Sequence, residues 1–322
     1  MTAPSDLILR SAAASVATHG RIAPLVSKTP IVSSRMSLPK DTGLVYKCEN
    51  FQLTGSFKLR GASAKLAGVP KDRPVITASS GNHGIACSLA AQKTGHKLTV
   101  VLPETVIASK REKIESFGTR VIIAGADSSL AEVHAQQLAQ SDGYTYISPY
   151  NDAEVIAGQG TIGLELIEQM PKLDTVFIAM GGGGLISGIG AVIKAFSPGT
   201  RIIGVSATST AALAASIEAG EIVETDHLDT LADGVAGGVD AGSLTLPMAT
   251  EVIDDVVYCD EAQIADALKI LAWTENMIVE GAAALALAGY LADSSRYAGL
   301  TNAVLLCGAN YDQTRVQNAI SG

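Results

Sequence analysis

Eight short apolar runs rich in β-branched residues recur along the 322-residue chain: 44–49, 74–79, 97–103, 120–125, 144–149, 175–180, 201–207 and 302–308. Each has the length and composition of a buried strand, and alanine-rich stretches of helical character separate most of them. Examples are the segments following residue 84 and residue 184. This alternation predicts an α/β fold with parallel sheets. Breaks near 71–74 and 148–152 suggest an inserted lobe, which divides the chain into a large domain of 1–73 with 149–322 and a small domain of 74–148. Composition agrees: 47% hydrophobic residues, 17% charged residues and 32 glycines suit a buried sheet under small-residue helices.

The net charge of −9 gives nucleic acid or an anionic membrane nothing to bind, so a small metabolite is the expected partner. Four cysteines fall in no CxxC pair and no histidine stands at zinc-site spacing, so reduced thiols in a cytoplasm are expected. The N-terminal stretch is interrupted by Arg10 and no long apolar run follows, so neither export nor membrane insertion is expected.

Gly181, Gly182, Gly183 and Gly184 stand between the run 175–180 and a helix expected from Leu185. Their backbone amides can converge on an anion at a helix N-terminus. A dinucleotide site fits poorly, because the sixth position from Gly182 is Ser187 and the next strand closes near Ser206 rather than on an acid. Lys58 lies between Phe57 and Leu59, a setting in which desolvation can lower a lysine pKa and make the amine a nucleophile. The stretch Ser79, Ser80, Gly81, Asn82, His83 and Gly84 follows a strand and opens a helix, where hydroxyls and free N–H groups can take a carboxylate; a plain N-capping turn is the alternative.

Taken together, the segments 49–62, 79–84, 181–188, 232–236, 279–284 and 306–310 resemble the serine/threonine dehydratase and serine racemase family of fold-type II pyridoxal-phosphate enzymes, nearly end to end. The resemblance implies a tryptophan synthase beta-like α/β fold, two open-sheet domains with pyridoxal 5'-phosphate in the cleft, and a homodimer. It implies that Lys58 holds the cofactor as a Schiff base and takes the substrate α-proton, that Phe57 packs on the ring, and that Asn82 bonds the phenolic oxygen. Gly181 to Gly184 and Leu185 would hold the phosphate, Ser79, Ser80, Gly81 and His83 the substrate carboxylate, and Cys307 would stand near the pyridine nitrogen. Glu280 matches an acidic family position without an assigned role. The implied reaction is β-elimination from serine, threonine or 3-hydroxyaspartate to a keto acid and ammonia. Ser80 keeps a racemase open, as the acid/base on the face opposite Lys58. The divalent-cation site of racemase-type members is not expected, since Ser206 and Ala212 stand where they carry carboxylates. With only a short tail after 306–310, a C-terminal regulatory domain is likewise not expected.

Overall fold

Residues 3–321 are described by a computed structural model. In chain order its strands are β1 (Ile31–Ser33), β2 (Gly43–Cys48), β3 (Val75–Ala78), β4 (Leu98–Leu102), β5 (Arg120–Ile123), β6 (Thr145–Tyr146), β7 (Thr175–Ala179), β8 (Arg201–Ala207), β9 (Asp255–Cys259) and β10 (Thr301–Leu306). They form two sheets. One has the order β1-β2-β10-β7-β8-β9 and the other β5-β4-β3-β6.

The four-stranded sheet is parallel throughout. The six-stranded sheet is not, which corrects the expectation of purely parallel sheets: β1 runs antiparallel to β2 at one edge, with Val32 opposite Tyr46. The eight expected runs all contain strands. The run at 144–149 shrinks to two residues because the chain leaves the ladder after Ile147, whose N–H still donates to the Ile76 carbonyl, for a bend containing Pro149. Strands β1 and β9 add to the expected set. Both are edge strands with half-exposed faces, so neither has the continuous apolar run that marks a buried strand.

Local chemistry explains where the helices begin. The Asp152 side chain accepts from the N–H groups of Glu154 and Val155 and starts Ala153–Gln169, and Asp260 with Gln263 forms a capping box at the head of Glu261–Trp273. Helix Lys58–Gly68 packs on Ala153–Gln169 and on Asn82–Thr94. Its Leu59, Ala62 and Leu66 join the core beneath the small sheet with Val75, Ile85 and Val100. The helix therefore bridges the two sheets, with Lys58 at its N-terminus.

A buried charge network anchors that helix. Arg60 Nε lies 2.8 Å from Glu49 Oε2, and Arg60 Nη1 lies 2.7 Å from Glu165 Oε1. Lys47 Nζ bonds the other oxygen of Glu165. All four residues are buried. Desolvation would raise the Glu165 carboxyl, but Arg60 and Lys47 hold it below its ordinary value. Among the described residues, no helix is long and apolar enough to cross a membrane.

Candidate active site

A backbone bridge brings distant segments of the sequence together here. Ser56 pairs antiparallel with Gly308, Phe57 N–H donates to the Cys307 carbonyl at 3.0 Å, and Ala309 N–H donates to the Gly55 carbonyl at 2.8 Å. Gly55 adopts φ of +76°, the left-handed region where glycine is unstrained, and so turns the chain into this bridge. Lys58 and Cys307 are thereby held at the carboxyl ends of β2 and β10, where ligands bind in open α/β sheets.

Lys58 is half-buried, and its Nζ donates to the Pro149 carbonyl at 2.8 Å and sits 5.1 Å from the centroid of the Phe57 ring. Burial lowers its pKa to about 8, against the opposing pull of Cys87, Cys307, Glu280 and Glu132. The amine is thus far easier to deprotonate than a surface lysine, as a nucleophile or a proton acceptor requires.

Next to it, Asn82 Nδ2 donates to both Glu280 oxygens at 2.9 and 3.0 Å, and Asn310 N–H donates to Glu280 Oε2 at 3.1 Å. Asn310 Nδ2 in turn donates to Asn82 Oδ1 at 2.7 Å. The Cys307 thiol lies 3.8 Å from Glu280 Oε1. Burial pushes the Glu280 carboxyl up, with Asn82 and Asn310 working against it, and holds the Cys307 thiol well above its usual range. Cys307 is accordingly a neutral thiol. Glu280, an acidic position without an expected role, organises this network, and Asn310 joins it; the segment 306–310 was the only sign of Asn310.

Ser79, Ser80 and Gly81 are half-buried in the link from β3 to helix Asn82–Thr94. That helix starts at Asn82, three residues before the segment expected after residue 84, so Asn82 and His83 belong to its first turn. No side chain caps this helix: Gly81 is the N-cap residue, and the Ser79 hydroxyl accepts from the Gly81 N–H at 3.2 Å. A side chain at Gly84 would collide with the Ser79 carbonyl oxygen, so glycine is what lets the link turn so tightly. The His83 ring is buried, with Nε2 3.1 Å from the Ile147 carbonyl and 3.5 Å from Cys87 Sγ. Burial and Lys58 lower its pKa to about 3, so it is neutral.

The four glycines close β7 and open helix Gly184–Phe196, one residue ahead of Leu185. Gly183 has φ of +89°, and the Thr245 hydroxyl fixes the turn by donating to the Gly182 carbonyl at 2.7 Å. A Cβ on Gly182 would stand 2.6 Å from the Tyr150 ring, so the loop lies flat against that ring. Amides at the head of a helix lack intrahelical partners, and with the macrodipole they suit a phosphate. An electrophile-accepting lysine, a neutral thiol, two half-buried amides on a buried carboxyl and a glycine-rich anion cradle together match the donor set that pyridoxal phosphate needs.

The family model described as pyridoxal-phosphate dependent enzyme matches residues 22–308. The L-threonine dehydratase catabolic TdcB of Staphylococcus aureus (strain N315) is 36% identical, over 93% of this chain and 88% of its own. The processed form of threonine deaminase isoform 2 from Solanum lycopersicum superposes with a TM-score of 0.90 at 31% identity, covering 99% of this chain and 94% of that one. Maize serine racemase gives 0.87 at 32% identity, with 96% of each chain covered. With the site geometry, these likenesses show that the chain belongs to the pyridoxal-phosphate dependent enzyme family.

Proposed function

We propose that the protein is an ammonia-lyase that dehydrates a small β-hydroxy amino acid, with threonine, serine and 3-hydroxyaspartate as candidates, releasing a keto acid and ammonia. The observation that carries this reading is Lys58, whose amine is drawn to the Pro149 carbonyl and brought to a pKa of about 8 within reach of the charge of Glu280, the centre of the Asn82–Glu280–Asn310 network. Likeness to a threonine dehydratase over nearly the whole chain supports the reaction class.

When bound, pyridoxal phosphate supplies an aldehyde for the substrate amine and a conjugated ring that draws electron density from the α-carbon. Lys58 would carry the aldehyde at rest, with Phe57 against the ring and Asn82 at the phenolic oxygen. The amides of Gly181 to Gly184 and Leu185 would take the phosphate. Freed by substrate, Lys58 Nζ would accept the α-proton. Hydroxyls and N–H groups of Ser79, Ser80 and Gly81 would orient the substrate carboxylate, with the His83 ring bracing the loop from behind. Cys307, a neutral thiol, would leave the ring nitrogen unprotonated, which moderates the electron sink and suits elimination. In this reading, residues 74–148 form the lobe that brings the carboxylate loop to the lobe carrying Lys58.

A racemase remains the second reading, favoured by Ser80 alone, whose hydroxyl stands in the same loop. The deciding experiment incubates cofactor-loaded protein with each stereoisomer of the three candidates and measures keto acid, ammonia and the chirality of what remains. Keto acid from one stereoisomer supports the lyase. Inversion without release overturns it, and loss of inversion alone in Ser80→Ala would give Ser80 the second-face role.

A further inference from the structure

Two carboxylates that the reaction does not use flank the segment carrying the Lys58 acceptor. Glu132 lies near the start of helix Ser128–Ser141, which follows β5, and so at the carboxyl edge of the small sheet. Its Oε1 accepts the Tyr146 hydroxyl at 2.7 Å. Tyr146 stands three residues before Pro149. Asp240 approaches from a different part of the chain, a loop with left-handed glycines at Gly237 and Gly242. Its N–H donates to the Tyr150 hydroxyl oxygen at 2.9 Å, and its Oδ2 accepts from Asn151 Nδ2 at 3.1 Å. Tyr150 directly follows Pro149 and lies on the glycine cradle.

Held by Tyr146 and by Tyr150, the two acids sit beside the segment that bonds Lys58 and lies on the glycine loop, near enough to act on the site electrically. Burial pushes the Glu132 carboxyl up; Asp240 adds to this and Lys58 opposes it. Glu132 in turn favours the charged form of Lys58. Burial raises the Tyr150 hydroxyl, and Asp240 and Glu132 raise it further. Among the described residues neither acid has a lysine, arginine or histidine partner within ion-pair distance. Their negative charge is therefore free to act on whatever occupies the cleft, where partial burial weakens screening by salt.

We propose that Glu132 and Asp240 set charge selectivity at the substrate side chain, so that a cationic side chain is preferred, a neutral one accepted and a second carboxylate rejected. This rests on the dehydratase reading, in which the α-amine and α-carboxylate are already met by the cofactor and the 79–81 loop. What is left of the substrate for the charges flanking Tyr146 and Tyr150 to act on is the part beyond the β-carbon. A carboxylate there would meet two like charges without a compensating cation, which costs binding.

Three threonine-sized compounds isolate the charge: threonine itself, threonine with an ammonium on its γ-carbon, and 3-hydroxyaspartate. Keto-acid release by the loaded enzyme gives kcat/KM for each. The expected order is ammonium, then methyl, then carboxylate. Glu132→Gln and Asp240→Asn should each lower the ammonium-to-carboxylate ratio about tenfold, the effect of roughly one partly screened charge. Glu132→Asp, which keeps the charge, should restore the order. A wild-type preference for 3-hydroxyaspartate, or a ratio that neither neutral variant moves, overturns the inference while leaving the dehydratase reading standing. No release from any of the three by wild-type enzyme overturns both.

Discussion

Lys58 shows how a residue's neighbours, rather than its type, decide its chemistry. An ordinary lysine amine is almost wholly protonated at neutral pH, whereas burial brings Lys58 to about 8. Only the unprotonated amine attacks an aldehyde. In protein stripped of cofactor, the rate of cofactor uptake, followed by absorbance, should therefore rise with pH and level off above about 8. A rise continuing to the ordinary lysine range would contradict the assigned environment. The sequence made Lys58, Asn82 and the serines of the loop legible because each sits in a motif joining a strand to a helix. It could not reveal the Pro149 carbonyl, since a backbone acceptor leaves no mark on residue type. Nor could it reveal which way the His83 ring points, which is settled by the Ile147 carbonyl 64 residues away.

Among the elements, the link between β3 and helix Asn82–Thr94 is the one most tightly determined by its residues. Because a Cβ at Gly84 would strike the Ser79 carbonyl, Gly84→Ala should displace the 79–82 segment. The expected cost is about 1–3 kcal/mol of stability in denaturant unfolding, together with a raised KM for the amino acid. An unchanged KM would show that the loop does not hold the carboxylate. Runs such as 201–207 announce central strands because, after Arg201, both faces are buried and every position is apolar or small. Strands β1 and β9 escape notice for the opposite reason. They sit at sheet edges, and three residues of β1 or the half-exposed face of β9 carry too little pattern to stand out. The same limit hides the direction of β1, because an antiparallel edge is set by the loop that returns it to β2.

Across the whole molecule, helix Lys58–Gly68 joins the cores of the two sheets, and the Arg60 network fixes it to β2 and to helix Ala153–Gln169. Arg60→Ala would leave Glu49 and Glu165 buried without their main partner. The expected loss is about 3–5 kcal/mol in reversible unfolding, along with weaker cofactor retention as Lys58 loses its footing. The sign of the pH effect follows from Glu165, whose carboxyl is held low in the intact network. Stability from this group is present above its unfolded pKa and is lost as pH falls through the lowered folded value, so the gap between variant and wild type should narrow in acid. A variant as stable as wild type would show that the network is dispensable.

Everything proposed about this protein depends on the cofactor being held at Lys58. Reducing the loaded protein with borohydride fixes the cofactor to whichever amine carries it, and peptide mass mapping then locates the added mass. The added mass is expected on the peptide containing Lys58, and Lys58→Ala is expected to carry none. Added mass on a different lysine, or undiminished labelling of Lys58→Ala, would contradict this placement.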